Sequence, residues 1–240
     1  NDAMACAMRQ YDAIRACIRD NPGKASLVTS VNQALENKAS GLFSIFLGLE
    51  NSSPIGTSID KVKYFYDNGI RYITLCHSKD NEICDSCASS LKKWGGLSPF
   101  GKEVVAEMNR LGILIDVSHA SDDTFYDVLR YSSRPVVATH SCCRALCNHP
   151  RNMTDDMIKA LAASGGVMQI NFYPFFLDKS YIEGGDRPSY TLIADHIDHV
   201  VSLVGVDHVG IGSDYDGIEV TPNGMEDISM MHLLFDELRR

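Results

Sequence analysis

Five residues able to bind a metal or move a proton close short apolar runs in this chain. His77, His119 and His140 end RYITLCH, ILIDVSH and PVVATH, Glu50 ends GLFSIFLGLE, and Asp214 follows HVGIGS. Neutral imidazole and carboxylate are among the ligands of zinc and similar cations. One histidine at a strand end is most simply a residue satisfied by its neighbours, but the placement recurs here. In parallel sheets the carboxyl ends of neighbouring strands point to one edge, where ligand sites lie. Side chains leaving those ends therefore converge.

The elements that must position these groups follow from the pattern. Residues 113–141 read as strand, helix and parallel strand, with the helix capped near Ser121 and Asp122 and Asp123 in its first turn. Upstream, residues 2–19 carry apolar positions at helical spacing, residues 26–30 read as extended, 31–38 as helical, and 41–50 as one buried strand ending at Glu50. A helix over 59–68 precedes the strand 71–77. Ser98-Pro99 starts a further helix that Gly112 stops. Thr154 caps the next, and a strand over 167–172 leads into a loop that reaches about residue 189. The helix 191–204 places His196 and His199 three apart, mid-helix on the outer layer, so they are assigned to structure rather than to the site. A last strand spans 208–217 and a last helix 227–240. Six principal strands thus alternate with helices.

Composition narrows the function. With 22 basic against 31 acidic residues, a net charge of −9 and no Lys/Arg cluster, the chain is unsuited to tracking a phosphate backbone, and nucleic acid is not an expected partner. No apolar run is long enough to span a membrane. The eight cysteines leave the compartment open. Cys84 and Cys87 form a C-x-x-C without a second one at zinc-ribbon spacing. Cys84 and Cys87 lie on one active-edge loop and Cys142, Cys143 and Cys147 on another, so an exported protein is expected either to tie the two loops by a disulfide or to keep buried thiols.

Chemistry contributed by several strand ends points to a (β/α)₈ barrel, whereas an open doubly wound sheet concentrates it in one crevice. No G-x-G-x-x-G or Walker loop is present. Eight strands close such a barrel, and six are counted, so the first two are expected upstream of Asn1. On this reading residues 1–240 form a single barrel domain, truncated at the amino end and, after the uncapped last helix, at the carboxyl end.

The strings RYITLCHS, GLSPFGKEVVAEMNRLGILIDVSH, THSCCRALCNHPRNMTDD, VMQINFY and VGIGSDYDG resemble, in order and over nearly the whole chain, the membrane (renal) dipeptidase family of zinc peptidases, M19. The resemblance implies a (β/α)₈ barrel of the metal-dependent hydrolase type, with two zinc ions in the complete site. The implied substrates are dipeptides, with a D-residue often tolerated at the carboxyl end, and the implied assembly is a homodimer. It assigns Glu50 as the carboxylate bridging the two ions and His119 and His140 as ligands of one of them. His77 and Arg151 become substrate contacts, and Asp214 the acid near the activated water. The family's His-x-Asp ligand pair has no counterpart upstream of Glu50, and Asn51–Thr57 reads NSSPIGT where relatives are glycine-rich.

The residues support the same chemistry. Two cations bridged by one carboxylate can activate a shared water and polarise a carbonyl. Asp214 would take the proton and pass it to the leaving amine, His77 would donate to the developing oxyanion, and Arg151 would pair with the free carboxylate of a dipeptide. The alternatives are a non-catalytic barrel or binding subunit, a fragment inactive for want of the His-x-Asp ligands, and a metal-dependent hydrolase of cyclic amides or phosphoesters, which would have no use for Arg151.

Overall fold

Side-chain caps begin most of the long helices. The computed structural model describes residues 2–240. Helix α1 (Ala3–Arg19) is capped by Asp2, and β1 (Ala25–Leu27) leads to α2 (Val31–Ala39), capped by Ser30. Then come β2 (Phe43–Ile45), β3 (Leu47–Glu50), α3 (Asp60–Asp67) and β4 (Ile70–Thr74). Helix α4 (Pro99–Leu111) has Ser98 accepting from the Gly101 amide, Pro99 in its first turn, and Gly112 in the left-handed region at φ 80° as its stop. Strand β5 (Leu114–Asp116), α5 (Asp122–Tyr131) and β6 (Val137–Ser141) form the expected βαβ unit, with Ser121 capping α5 through the Thr124 amide. Helix α6 (Asp155–Ala163), capped by Thr154, precedes β7 (Val167–Ile170). The remainder is α7 (Pro174–Leu177), α8 (Lys179–Ile182), α9 (Thr191–Val204), β8 (Val209–Ile211) and α10 (Met231–Glu237).

Strands β3 to β8 form one parallel sheet in chain order, and β1 pairs with β2 beside it. Parallel neighbours in sequence order with a helical connection between each pair are the repeat of a (β/α) barrel. Among the described residues β3 and β8 do not pair with each other, so the six strands make part of a ring. Alternation along the strands splits the faces. Ile73, Ile115, Ala138, Met168 and Ile170 are at most 1% exposed and belong to the core shared with α3 to α6 and α9. Tyr72, Thr74, Leu114, Thr139, Gln169 and Ile211 line a cavity of about 830 Å³ on the other face, together with Glu50, His140 and Asp214. All six strands contribute to it.

Several expectations are corrected. The strand expected over 41–50 is two: β2 pairs with β1 and β3 with β4, and the chain changes partner at Phe46, with a register shift at Leu47/Gly48. A Cβ at Gly48 would collide with the outer end of the Tyr72 ring, so a side chain there would displace Tyr72. The loop 173–189 contains α7 and α8, whose four-residue length hides any helical period. His77 lies three residues beyond β4 rather than at its end, and His140 lies inside β6. Strand β8 and α10 are shorter than their apolar patterns. All eight cysteines are free thiols, and Cys76, Cys84, Cys142, Cys143 and Cys147 are buried. No helix among the described residues is long and apolar enough to cross a membrane.

Candidate active site

The end of β3 and the segments at and beyond β5 and β6 deliver three electron-rich atoms to one point. Glu50 Oε1 lies 3.2 Å from His119 Nε2 and 3.2 Å from His140 Nε2, and the two imidazole nitrogens are 2.9 Å apart. Ligands about 2.0–2.1 Å from one zinc ion and subtending roughly 90–100° have such separations. His77 Nε2 is 3.9 Å from the same Glu50 oxygen, and its ring stacks at 4.2 Å on that of His119. Glu50, His77 and His119 also form a group whose ligand atoms all lie within 4.8 Å of one another. The donor set of one carboxylate and two or three imidazoles fits a divalent transition metal.

The local electrostatics agree. Burial pushes His119 down from 6.5 to about 4, so at neutral pH it is uncharged, the form in which imidazole binds metal. A hydrogen bond from His119 holds the Glu50 carboxyl well below the usual carboxylate range. Among the described residues, His119 at φ 68°, Asp214 at φ 61° and Asn51 at φ 70° are three of the four non-glycine residues in the left-handed region. Such conformations cost about 1–3 kcal/mol each and persist where surrounding structure enforces them, as at functional sites.

Arg151 is 8% exposed. Its Nη2 donates to the His140 carbonyl at 2.9 Å and its guanidinium lies 5.3 Å from the Phe176 ring centroid, while Nε has no partner. A buried guanidinium with spare donors is suited to an anionic group. Asp214 shares the 830 Å³ cavity with Glu50 and His140, and one of its carboxylate oxygens accepts from the Asn171 amide at 3.1 Å. Asn171 is fully buried, and its own carbonyl oxygen accepts from the Tyr173 amide at 2.6 Å, which aims the NH₂ group at Asp214. Thus the structure gathers Glu50, His77, His119 and His140, sets Arg151 against the backbone of His140, and opens Asp214 into the same cavity. His196 stays outside: it is buried, its Nδ1 accepts from the Cys143 amide and its Nε2 faces the Leu177 carbonyl, while His199 meets Asp155 at 2.8 Å.

Sequence reasoning missed Asn171, Asp116 and Thr139. Asp116 is fully buried and accepts hydrogen bonds from both Thr74 and Thr139. Its signal was present, because a lone carboxylate in the run ILIDV must find donors when buried.

The chain matches the family model for membrane dipeptidases, peptidase family M19, over residues 1–240. It is 37% identical over 237 residues to the dipeptidase verJ of Clonostachys rogersoniana, which covers 99% of this chain and 60% of that protein. It is 38% identical over 226 residues to an uncharacterised dipeptidase of Schizosaccharomyces pombe, covering 92% of this chain and 53% of that protein. The chain therefore spans little more than half the length of these curated relatives. Among solved structures, a metallopeptidase from Rhodobacter sphaeroides bound to a phosphinate mimic of the dipeptide L-Ala-D-Ala superposes with a TM-score of 0.85, at 30% identity over 92% of this chain and 64% of that one. With a matching family model along its whole length and a partial parallel barrel that gathers carboxylate and imidazole at its carboxyl edge, this chain belongs to the membrane dipeptidase family, M19.

Proposed function

We propose that the site serves zinc-dependent hydrolysis of dipeptides, with two ions in the complete site and tolerance of a D-residue at the carboxyl end. The observation that carries this reading is the meeting of Glu50 Oε1, His119 Nε2 and His140 Nε2 within 3.2 Å, beside a buried Arg151 with an unpartnered Nε. Glu50, His119 and His140 would hold one ion, and Glu50 would be shared with a second. Zinc so bound supplies a Lewis acid that makes water a nucleophile at neutral pH and polarises the scissile carbonyl. The remaining work falls to the chain's side chains. Asp214, steadied by Asn171, accepts the proton of the attacking water and returns it to the leaving amine. His77 donates a hydrogen bond to the oxygen on which charge develops. Arg151 pairs with the free α-carboxylate, which restricts substrates to short peptides.

The second ion needs ligands besides Glu50, and no histidine precedes His77 in this chain. The test therefore compares residues 1–240 with an amino-terminally extended form carrying a His-x-Asp strand, each stripped by chelator and reloaded with zinc. Free dipeptides, among them L-Ala-D-Ala, should be cleaved by the extended form and tripeptides should not. An extended form that stays inactive on dipeptides with zinc restored would overturn the proposal.

A further inference from the structure

Adjacent residues of a regular strand point to opposite faces, yet the side chains of Thr139 and His140 touch: Thr139 Oγ1 lies 2.8 Å from His140 Nδ1. The pleat is broken to allow it, since the register between β6 and β7 shifts between Ala138 and Ser141. Gly212 is required at the same place, because a Cβ there would collide with the Thr139 carbonyl. A local irregularity that brings two side chains together invites a reason.

The reason lies one residue deeper. Asp116 is fully buried and receives four donors. Its Oδ1 accepts from the backbone amides of Ser118 at 2.9 Å and Thr139 at 3.0 Å, and its Oδ2 from the hydroxyls of Thr74 and Thr139, both at 2.6 Å. Ser118 Oγ in turn accepts from the His140 amide at 3.0 Å and fixes the backbone of that residue. A carboxylate surrounded in this way only accepts, so the single hydroxyl proton of Thr139 is committed to it. Thr139 Oγ1 then has only lone pairs to offer His140, and the contact at Nδ1 must be an N–H donated by the imidazole. The neutral ring carries one proton, which leaves Nε2 as a bare lone pair facing Glu50 and His119.

We propose that Asp116 and Thr139 form a positioning relay, Asp116 to Thr139 to His140, that sets the His140 tautomer so that Nε2 is presented to a metal ion. The proposal rests on the reading of Glu50, His119 and His140 as a metal site and assigns the supporting groups that make His140 competent. Partners of this kind orient a ligating histidine, and losing one lowers metal affinity about 10–100-fold. Thr74, donating to the same oxygen of Asp116, holds the carboxylate from the neighbouring strand.

The experiment uses the metal-free chain with ¹⁵N-labelled histidine. Nitrogen chemical shifts should report His140 with a proton on Nδ1 and a bare Nε2 in the natural sequence and in Thr139→Ser, and a mixed or reversed tautomer in Thr139→Val and Asp116→Asn. Titration with zinc alone should then give an affinity about 10–100-fold lower for Thr139→Val than for the natural chain, and Thr139→Ser within a few-fold of it. Circular dichroism sorts the variants that fold, Thr139→Val keeps the test decisive if Asp116→Asn does not, and the tautomer of the natural chain decides it if neither does. A proton on Nε2 of His140 in the natural chain, or a folded Thr139→Val with unchanged zinc affinity, would overturn the relay. Failure of the natural chain to bind zinc would instead overturn the metal-site reading, while the tautomer would still judge the relay.

Discussion

Replacing Arg151 by methionine should separate substrate recognition from stability. The guanidinium is 8% exposed, donates through Nη2 to the His140 carbonyl at 2.9 Å, and leaves Nε without a partner. Each hydrogen bond between it and a carboxylate contributes about 1.5–3 kcal/mol. Two to one α-carboxylate therefore amount to about 3 kcal/mol or more, on the order of 10²-fold in kcat/KM. Arg151→Met loses that together with the bond to His140, but it also removes a buried charge, so the two effects on folding oppose each other and the net change should stay under about 2 kcal/mol. The assay is steady-state hydrolysis of a dipeptide and of its carboxyl-terminal amide by the zinc-loaded, amino-terminally extended form, with urea unfolding as the control. The free dipeptide should lose about 10²-fold and the amide much less, so that the variant barely distinguishes them. Equal losses on both substrates, with the fold intact, would refute the carboxylate pairing.

Three further outcomes follow from other parts of the molecule. Asp214→Asn should lower kcat by roughly 10²-fold or more, as for a lost acid/base group, with metal content unchanged in elemental analysis; loss of metal alongside would make Asp214 a ligand instead. His196 is buried and pushed from 6.5 down to about 4, so the unfolded chain binds its proton first, and stability is complete above about pH 6.5 and is lost as pH falls toward 4. The gap corresponds to at most about 3 kcal/mol, and His196→Gln should show a shallower decline in urea midpoints between pH 7 and 4.5 than the natural chain; identical slopes would remove His196 as the cause. Burial raises the thiols of Cys87 to about 11 and Cys143 to about 12, whereas Cys6 and Cys17 are exposed. A thiol reagent should therefore label Cys6 and Cys17 first and the other six on unfolding, without reductant, and fewer than eight labels in the unfolded chain would reveal a disulfide.

Much of this was legible in the residues, and the remainder was hidden for physical reasons. Glycine and hydroxyl caps at Ser98, Gly112, Ser121 and Thr154 are local signals, and each marks a helix end in the structure. The six strands were legible because β-branched runs between such caps have few other ways to fold. Glu50, His119 and His140 could be grouped because parallel strands bring their carboxyl ends to one edge. Contacts across strands leave no such trace. The relay from Asp116 through Thr139 depends on a register shift, the orientation of Asn171 toward Asp214 on a turn at Tyr173, and the left-handed backbone of His119 and Asp214 on packing around them. The change of partner at Phe46 was invisible because the apolar pattern runs through it unbroken.

Everything proposed for the site depends on Glu50, His119 and His140 sharing a metal ion. The direct measurement is zinc per chain, by elemental analysis after dialysis against zinc-free buffer, for the natural chain and for Glu50→Gln, His119→Ala and His140→Ala, each checked for folding by circular dichroism. Bound zinc is expected in the natural chain, and its loss from all three folded variants. Zinc retained at the natural stoichiometry in both His119→Ala and His140→Ala would contradict it.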